Sequence, residues 1–431
     1  MAARDPLADA LEMEGSGGQG PVPNKRIKIE AAATELVGGS TTDAEEKQQR
    51  ETAAAAGEGS NALPVASTLK PQPLPASTRR RRISKPAVKD PREYVPTVVK
   101  PEDPDTAQNV ASSRDKALVR DVARSTVSVS SITLDGKVIE QQTGIVIGWK
   151  ETQKCARILT SSDIVDGLDP TCKLHIGLPN RTILEGQLLF FNKHYDIALL
   201  EISSESDLPL KLPTFGSNPK YGQDVFMLAR GKDCNLIARH GTILWLDKPK
   251  YPERNYYMYL AVNLLYGTGG PVIDHDGNVT GMAFDFGDPN TSIIAISIIV
   301  TCIEMWMKFS RIARPVHGLR LRTVELLEVS LQEVISLDHN INNGYIVDKV
   351  SIGSTADKLG IRYGDVIVSF DGLRDQTLPQ LEDYLLSLGW GFLQGSTNSS
   401  STVDLKLEVY VLLERRTRSV TLSVEFCDAS E

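Results

Sequence analysis

"YGTGGPVIDHDGNVTGM", residues 266–282, sets the fold. Four small residues follow Tyr266 and form a loop. The loop runs into the apolar "PVI", and Asp276-Gly277 sends the chain back into "NVTGM". An Asp-Gly pair between apolar runs predicts a β-hairpin closed by a two-residue turn. "DHDGN" is no calcium loop, because its glycine comes too early for the twelve-residue ligand spacing.

The same texture extends on both sides. "STVSVSSITL", "TGIVIGWK", "ARILTSSDIV", "EGQLLFF", "YDIALLEI", "QDVFMLA", "GTILWLD", "MYLAV" and "TSIIAIS" are short runs rich in β-branched residues, each ended by a turn signal. Many such strands at close spacing predict a mostly β chain built as antiparallel barrel or sandwich. "IIAISIIVTCIEMWM" (293–307) is broken by Ser297, Thr301 and Glu304 and is shorter than the ~20 residues of a membrane span. It reads as a buried strand entering a helix, and no membrane association is expected.

The chain has 431 residues, room for two or three domains, with a formal net charge of -8. That balance argues against direct nucleic-acid binding as the main role. The five cysteines are odd in number and far apart, which suits neither a disulfide framework nor a zinc site. A reducing compartment is therefore expected, with no metal and no cofactor. The acidic opening "MAARDPLADALEMEGSG" has no continuous apolar core, so no secretory leader is expected.

The first aromatic residue is Tyr94, and residues 1–110 are expected to form a disordered tail. Its charge is polarised: residues 1–58 carry six basic against eleven acidic side chains, and residues 59–100 carry nine against two. The basic residues gather in "RRRRISK" (79–85), with a smaller cluster in "NKRIKIE" (24–30). Two readings stand for Arg79, Arg80, Arg81 and Arg82. They are an import signal held by a nuclear-import receptor, or a solvated basic linker. The first predicts a nuclear protein, the second a cytoplasmic one.

A second module follows a helical link. It holds "GYIVDKVS", "STADKLG", "GDVIVSFDG", a helix "LPQLEDYLLSL", and paired strands "DLKLEVYVLLE" and "RSVTLSVEF". "GWGFLQGSTNSSS", between helix and strands, reads as a polar mobile loop.

In this order the pieces resemble the HtrA/Deg (Do-like) serine protease family. The family's architecture is a trypsin-like double β-barrel followed by an α+β PDZ domain. The resemblance implies a barrel domain over 117–310 and a PDZ domain over 315–426. "TGIVIG" is similar to the family's opening strand, and "ILTSSDIVDG" stands where it has T-N-x-H-V-V. "HYDIALLEI" is similar to the strand of the catalytic aspartate, and "YGTGGPVID" to G-N-S-G-G-P-L-V. The implied triad positions are then Asp163 in place of histidine, Asp196 kept, and Thr268 in place of serine. The implied oxyanion hole falls to the backbone N–H groups of Tyr266 and Thr268. Tyr266 replaces a glycine there, and a tyrosine is expected to take glycine-type dihedrals poorly.

The chemistry can be weighed on its own. A hydroxyl nucleophile needs a base near neutral pKa, and an exposed aspartate near 4 accepts a proton poorly. Losing a triad histidine typically costs on the order of a million-fold in turnover. An internal threonine also lacks the terminal amine that threonine nucleophiles use as base. Two rescues are open: His194, two residues from Asp196, as base, or Asp163 and Asp196 as a carboxylate dyad. In the PDZ module the resemblance assigns capture of a peptide C-terminus to His317, Gly318 and Leu319 in "RPVHGLRL". Backbone N–H groups would bind the carboxylate, while the bland reading is a strand start. The expected function is non-catalytic binding of C-terminal peptides or unfolded proteins, as a chaperone-like or adaptor pseudoprotease. The alternative is an active serine-type endopeptidase. Homo-oligomerisation stays open, since little besides Tyr94 precedes the barrel to support the family's aromatic contacts.

Overall fold

The computed structural model describes residues 103–428 apart from 151–153, 170, 206, 247–250, 252, 285–289 and 395–401, with a few residues between 95 and 101. Arg79–Arg82 and most of the expected tail lie outside the described residues.

Six strands close the first barrel: β1 (Thr126–Ile132), β2 (Val138–Lys150), β3 (Cys155–Thr160), β4 (Lys173–Gly177), β5 (Ile183–Asn192) and β6 (Ile197–Ser203). Their order is β1-β2-β3-β6-β5-β4. Val127, Val129, Ile158, Ile176 and Leu200 fill its centre, each fully buried. β7 (Asp224–Arg230), β8 (Leu236–Leu244), β9 (Met258–Leu260), β10 (Pro271–Ile273), β11 (Val279–Phe284) and β12 (Thr291–Ala295) close the second, in the order β10-β11-β12-β9-β8-β7. Closure leaves no strand edge open in either barrel. The fold is thus mostly β, a double six-stranded barrel, as the short strand runs imply.

The hairpin differs from expectation in one detail. Asp274 N–H donates to Asn278 O at 3.0 Å, so three residues rather than two close the turn. Gly277 takes φ +86° as the left-handed residue that a three-residue loop needs. Asp274 enforces this by accepting from the N–H groups of Asp276 and Asn278 with Oδ1.

Two helices precede the barrels, α1 (Pro104–Asn109) and α2 (Ser113–Val122). The tail expected to stay disordered to 110 is therefore ordered from Asp103. Asp103 caps α1 and pairs through both oxygens with Arg239 of β8, at 2.7 and 3.0 Å. The Arg239 bond holds its carboxyl down at about 2. Thr106 Oγ1 accepts from Ala238 N–H, and Asn109 Oδ1 from His240 N–H. These partners lie more than 130 residues away, so composition alone could not reveal them.

The apolar run at 293–307 is indeed a strand entering a helix: β12 leads directly into α3 (Ile296–Phe309). The third sheet contains β13 (Ala313–Val316), β14 (Leu319–Thr323), β15 (Tyr345–Val350), β16 (Val366–Phe370), β17 (Thr402–Val411) and β18 (Arg416–Asp428). Its order is β13-β18-β17-β16-β15-β14, so β14 is an edge. α4 (Val329–His339) lies between β14 and β15, and α5 (Thr355–Lys358) follows β15. α6 (Leu378–Gln394) continues through "GWGFLQ", which had read as loop. Gly389 explains why glycine is tolerated there: a Cβ would sit 2.5 Å from that of Ala313. The glycine lets helix and strand approach, and Phe392 stacks on Phe426 beyond it.

Candidate active site at the barrel seam

Thr143 of β2 stitches the two barrels together. Its N–H donates to Thr268 O at 2.9 Å and its hydroxyl to Tyr266 O at 2.6 Å. The same hydroxyl accepts from Arg230 N–H of β7, and Thr143 O accepts from Thr160 Oγ1 at 2.7 Å. The loop is pressed into this seam. A Cβ on Gly269 (φ +77°) would lie 2.2 Å from Thr143 O and 2.3 Å from Thr160 Oγ1. On Gly270 it would meet Leu228 O at 2.3 Å. Paired glycines are required here by space, whatever the loop's chemistry.

Tyr266 corrects an expectation. It holds φ +63°, in the left-handed region that favours glycine, with its carbonyl bonded by Thr143 and the turn closed by Gly267 N–H to Leu264 O. The cost of that conformation is about 1–2 kcal/mol, and the surrounding bonds impose it. Among the described residues the N–H groups of Tyr266 and Thr268 meet no acceptor. The backbone of the loop thus keeps two unengaged donors despite the tyrosine.

Asp163 sits on a single 3-10 turn, Ser162–Ile164, directly after β3, and is exposed. Asp196 sits in the turn before β6, 6% exposed, at φ +52°. Ser161 joins the two: its Oγ accepts from Asp163 N–H at 3.2 Å and donates to Asp196 Oδ1 at 2.9 Å. Ser162 donates to the same oxygen from N–H and from Oγ, at 3.2 and 2.7 Å. Burial, with the charge of Asp163 beside it, pushes the Asp196 carboxyl up to about 7 against these donors. Its Oδ2 is buried and meets no partner among the described residues.

Thr268 is half-buried, and its hydroxyl has no hydrogen-bond partner among the described residues. His194 does not serve as its base. Residues 193–196 form a turn ahead of β6. The ring lies between Tyr256 Oη (3.2 Å from Nε2) and the Arg314 guanidinium (2.9 Å from Nδ1). Burial and the charges of Arg314 and Arg254 push it down to about 3, so it stays neutral.

The Asp196 turn also reaches the third sheet. Tyr195, fully buried, donates its hydroxyl to Glu382 Oε1 of α6 at 3.0 Å. Burial raises the Glu382 carboxyl to about 7. Thr143, Ser161, Ser162, Tyr195 and Glu382 were not singled out from sequence. Only buried polar residues inside apolar runs hinted at them.

The second candidate loop joins β13 to β14. Gly318 takes φ +73°, and a Cβ there would lie 2.4 Å from that of Ser354. Gly318 O accepts from Ser351 N–H at 2.8 Å. The Leu319 N–H is not vacant: it donates to His317 Nδ1 at 3.2 Å, which corrects its reading as an open carboxylate donor. Burial holds His317 near 4, so the imidazole is neutral and able to accept. Beyond the loop, Asn255 donates to Leu321 O of β14 at 2.8 Å.

The trypsin-like peptidase domain profile matches residues 142–282, from the seam threonine to the hairpin. A Do-like protease of Arabidopsis thaliana is 26% identical over 210 residues, 46% of this chain and 49% of the relative. A DegP-like periplasmic serine endoprotease of Marinomonas sp. is 23% identical over 274 residues, 62% of this chain and 54% of its own. The chain carries a trypsin-like peptidase domain and is similar to Do-like, DegP-like and HtrA-like serine proteases. The chain spans about half the length of those two relatives. A solved serine endoprotease of Yersinia pestis overlays 74% of the chain and 99% of its own at TM-score 0.43 and 16% identity.

Proposed function

We propose that this protein is a pseudoprotease of the HtrA/Deg family that binds protein chains without cutting them. The carrying observation is Thr268: its hydroxyl has no base, and the histidine nearest Asp196 is engaged by Tyr256 and Arg314. Proton transfer out of a hydroxyl needs an acceptor within hydrogen-bond reach. In this reading Asp163, Asp196 and Thr268 occupy the triad positions, and Tyr266 and Thr268 the oxyanion hole.

Peptide capture falls to the third sheet, read as a PDZ domain. β14 is an edge to which an extended C-terminus can add as a strand. His317, Gly318 and Leu319 form its carboxylate loop. A bound carboxylate must displace the imidazole from Leu319 N–H, which sets a modest affinity. The basic run Arg79–Arg82 is proposed to engage an import receptor and take the protein to the nucleus. Alanine at all four positions is then expected to shift a tagged protein to the cytoplasm.

One observation favours the rival, an active serine-type endopeptidase. Asp196 near 7 falls in the range of a general base, and the N–H pair at Tyr266 and Thr268 is open. Incubating the purified chain and its Thr268→Ala variant with unfolded casein separates the readings. No cleavage by either is expected. Cleavage by the parent and none by Thr268→Ala would make Thr268 a nucleophile and end the pseudoprotease reading.

A further inference from the structure

α4 is an eleven-residue helix with no buried residue. It is well formed: Gln332 Nε2 donates to Leu327 O at 2.7 Å, and Asn340 ends it in the left-handed conformation at φ +54°. Its inner side touches the sheet through Ile335 and through His339, whose Nδ1 lies 3.1 Å from Tyr410 Oη. Its outer side exposes Val334 (51%) and Leu337 (77%), with Val329 (78%) exposed at its first position. A helix apolar on its outer face is ordinarily covered by another element.

Helical spacing orders that face. Ser330, Val334 and Leu337 recur at i, i+4 and i+7 and form one ridge. Glu333 flanks the ridge on one side and Asp338 on the other, both exposed. Glu325 and Glu328 stand at its N-terminal end, also exposed. No lysine or arginine occurs from residue 323 to 348. A second copy of the helix laid on this ridge would set acid against acid, which charge complementarity disfavours.

We infer that the outer face of α4 is a docking surface for a basic amphipathic helix of a partner protein, its apolar stripe on Val334 and Leu337 and its lysines or arginines on Glu333 and Asp338. A ridge of this spacing packs into the groove of another helix, whereas an extended strand repeats every second residue. The surface is separate from the His317–Leu319 loop and does not depend on how that loop is used.

The test uses the full chain and a synthetic 18-residue helix with a leucine stripe flanked by lysines, titrated by fluorescence anisotropy. Micromolar binding is expected. Val334→Ser with Leu337→Ser, or Glu333→Lys with Asp338→Lys, is expected to weaken it at least tenfold. These side chains are exposed, and an unchanged melting curve checks that the variants fold. The charge-reversed protein is expected instead to bind the same peptide with glutamates replacing its lysines. Absence of binding to the parent chain, or binding indifferent to both double variants, overturns the inference. So does concentration-dependent self-association abolished by Leu337→Ser, which would make a second copy the occupant.

Discussion

Two glycine loops in this molecule have fared differently. In the proposed reading, the loop at 266–270 stands where chemistry needs side chains: a nucleophile, a base and an orienting acid. In the same reading, the loop at 317–319 serves recognition that needs backbone N–H groups. In the first, the backbone is intact and its donors unengaged, yet the side chains beside it are a threonine and two carboxylates. In the second, the donor is present but occupied by the loop's own His317. Backbone geometry persists where packing demands it; side-chain chemistry has no such protection. Neighbouring atoms leave no room for a Cβ on Gly269 or Gly270, whereas Asp163 is exposed.

The largest expected effect tests that packing argument. Gly269→Ala combines a fully enclosed clash with a left-handed backbone and is expected to cost about 3–4 kcal/mol in urea unfolding. Gly318→Ala meets side-chain atoms alone, of Ser354, the N-cap of the four-residue α5, and of Ser351, and is expected to cost about half as much. Equal losses would break the distinction between an enclosed seam loop and a yielding one.

The pH dependence of stability comes next. An unfolded aspartate titrates near 4, whereas Asp196 in the fold is pushed up to about 7. Between those values the folded state holds more protons, so stability is greatest below about pH 4 as far as this group is concerned. It falls as pH rises toward 7, by up to about 1.4 kcal/mol per pH unit. Glu382, raised by burial to about 7, acts in the same direction. Urea midpoints of Asp196→Asn are expected to vary less between pH 4.5 and 7 than those of the parent, with Glu382→Gln reducing the slope separately. A parent midpoint that rises over this window would contradict the buried-carboxyl account.

Tyr266→Gly sharpens the comparison from the other side. The tyrosine already holds the left-handed backbone, so glycine is expected to stabilise by about 1 kcal/mol through relief of strain. Placed on Asp163→His with Thr268→Ser, it is expected to change any recovered hydrolysis by less than about tenfold, since the donors are already unengaged; removing a working oxyanion donor would cost 100-fold or more. A gain of 100-fold would mean the loop's backbone, too, had been lost.

The smallest effect belongs to the second loop. His317→Ala frees Leu319 N–H and is expected to tighten binding of a hydrophobic C-terminal peptide by about fivefold, the worth of one hydrogen bond near 1 kcal/mol. Amidating the peptide is expected to erase that gain. A histidine variant that binds no better, while the free acid still outbinds the amide, would show that the imidazole is no competitor.

Much of this was legible along the chain. The strand runs and the glycine loop predicted the barrels, and Asp163, Asp196 and Thr268 came from motif positions. The structure sets Asp163 and Asp196 on either side of Ser161, and Gly269, next to Thr268, presses against Thr160 and Ser161. The misses share a cause. α1 was hidden because its partners, Arg239 and Ala238, lie far away in sequence. The end of α6 was hidden because Gly389 and Gly391 signal a loop unless Ala313 is known to lie against one of them.

Periodicity, turn residues and residue type are local properties, so the sequence alone determined the β texture, the strand-to-helix step at 295–296 and the presence of an aspartate at 163. Distances between remote groups are not local. Tertiary structure alone decided that Tyr266 would be held left-handed by Thr143, that Asp196 would be buried beside Asp163 and shifted toward 7, and that His194 would be drawn to Arg314. Each depends on desolvation and hydrogen bonds supplied by segments that meet only when the barrels and the third sheet pack together.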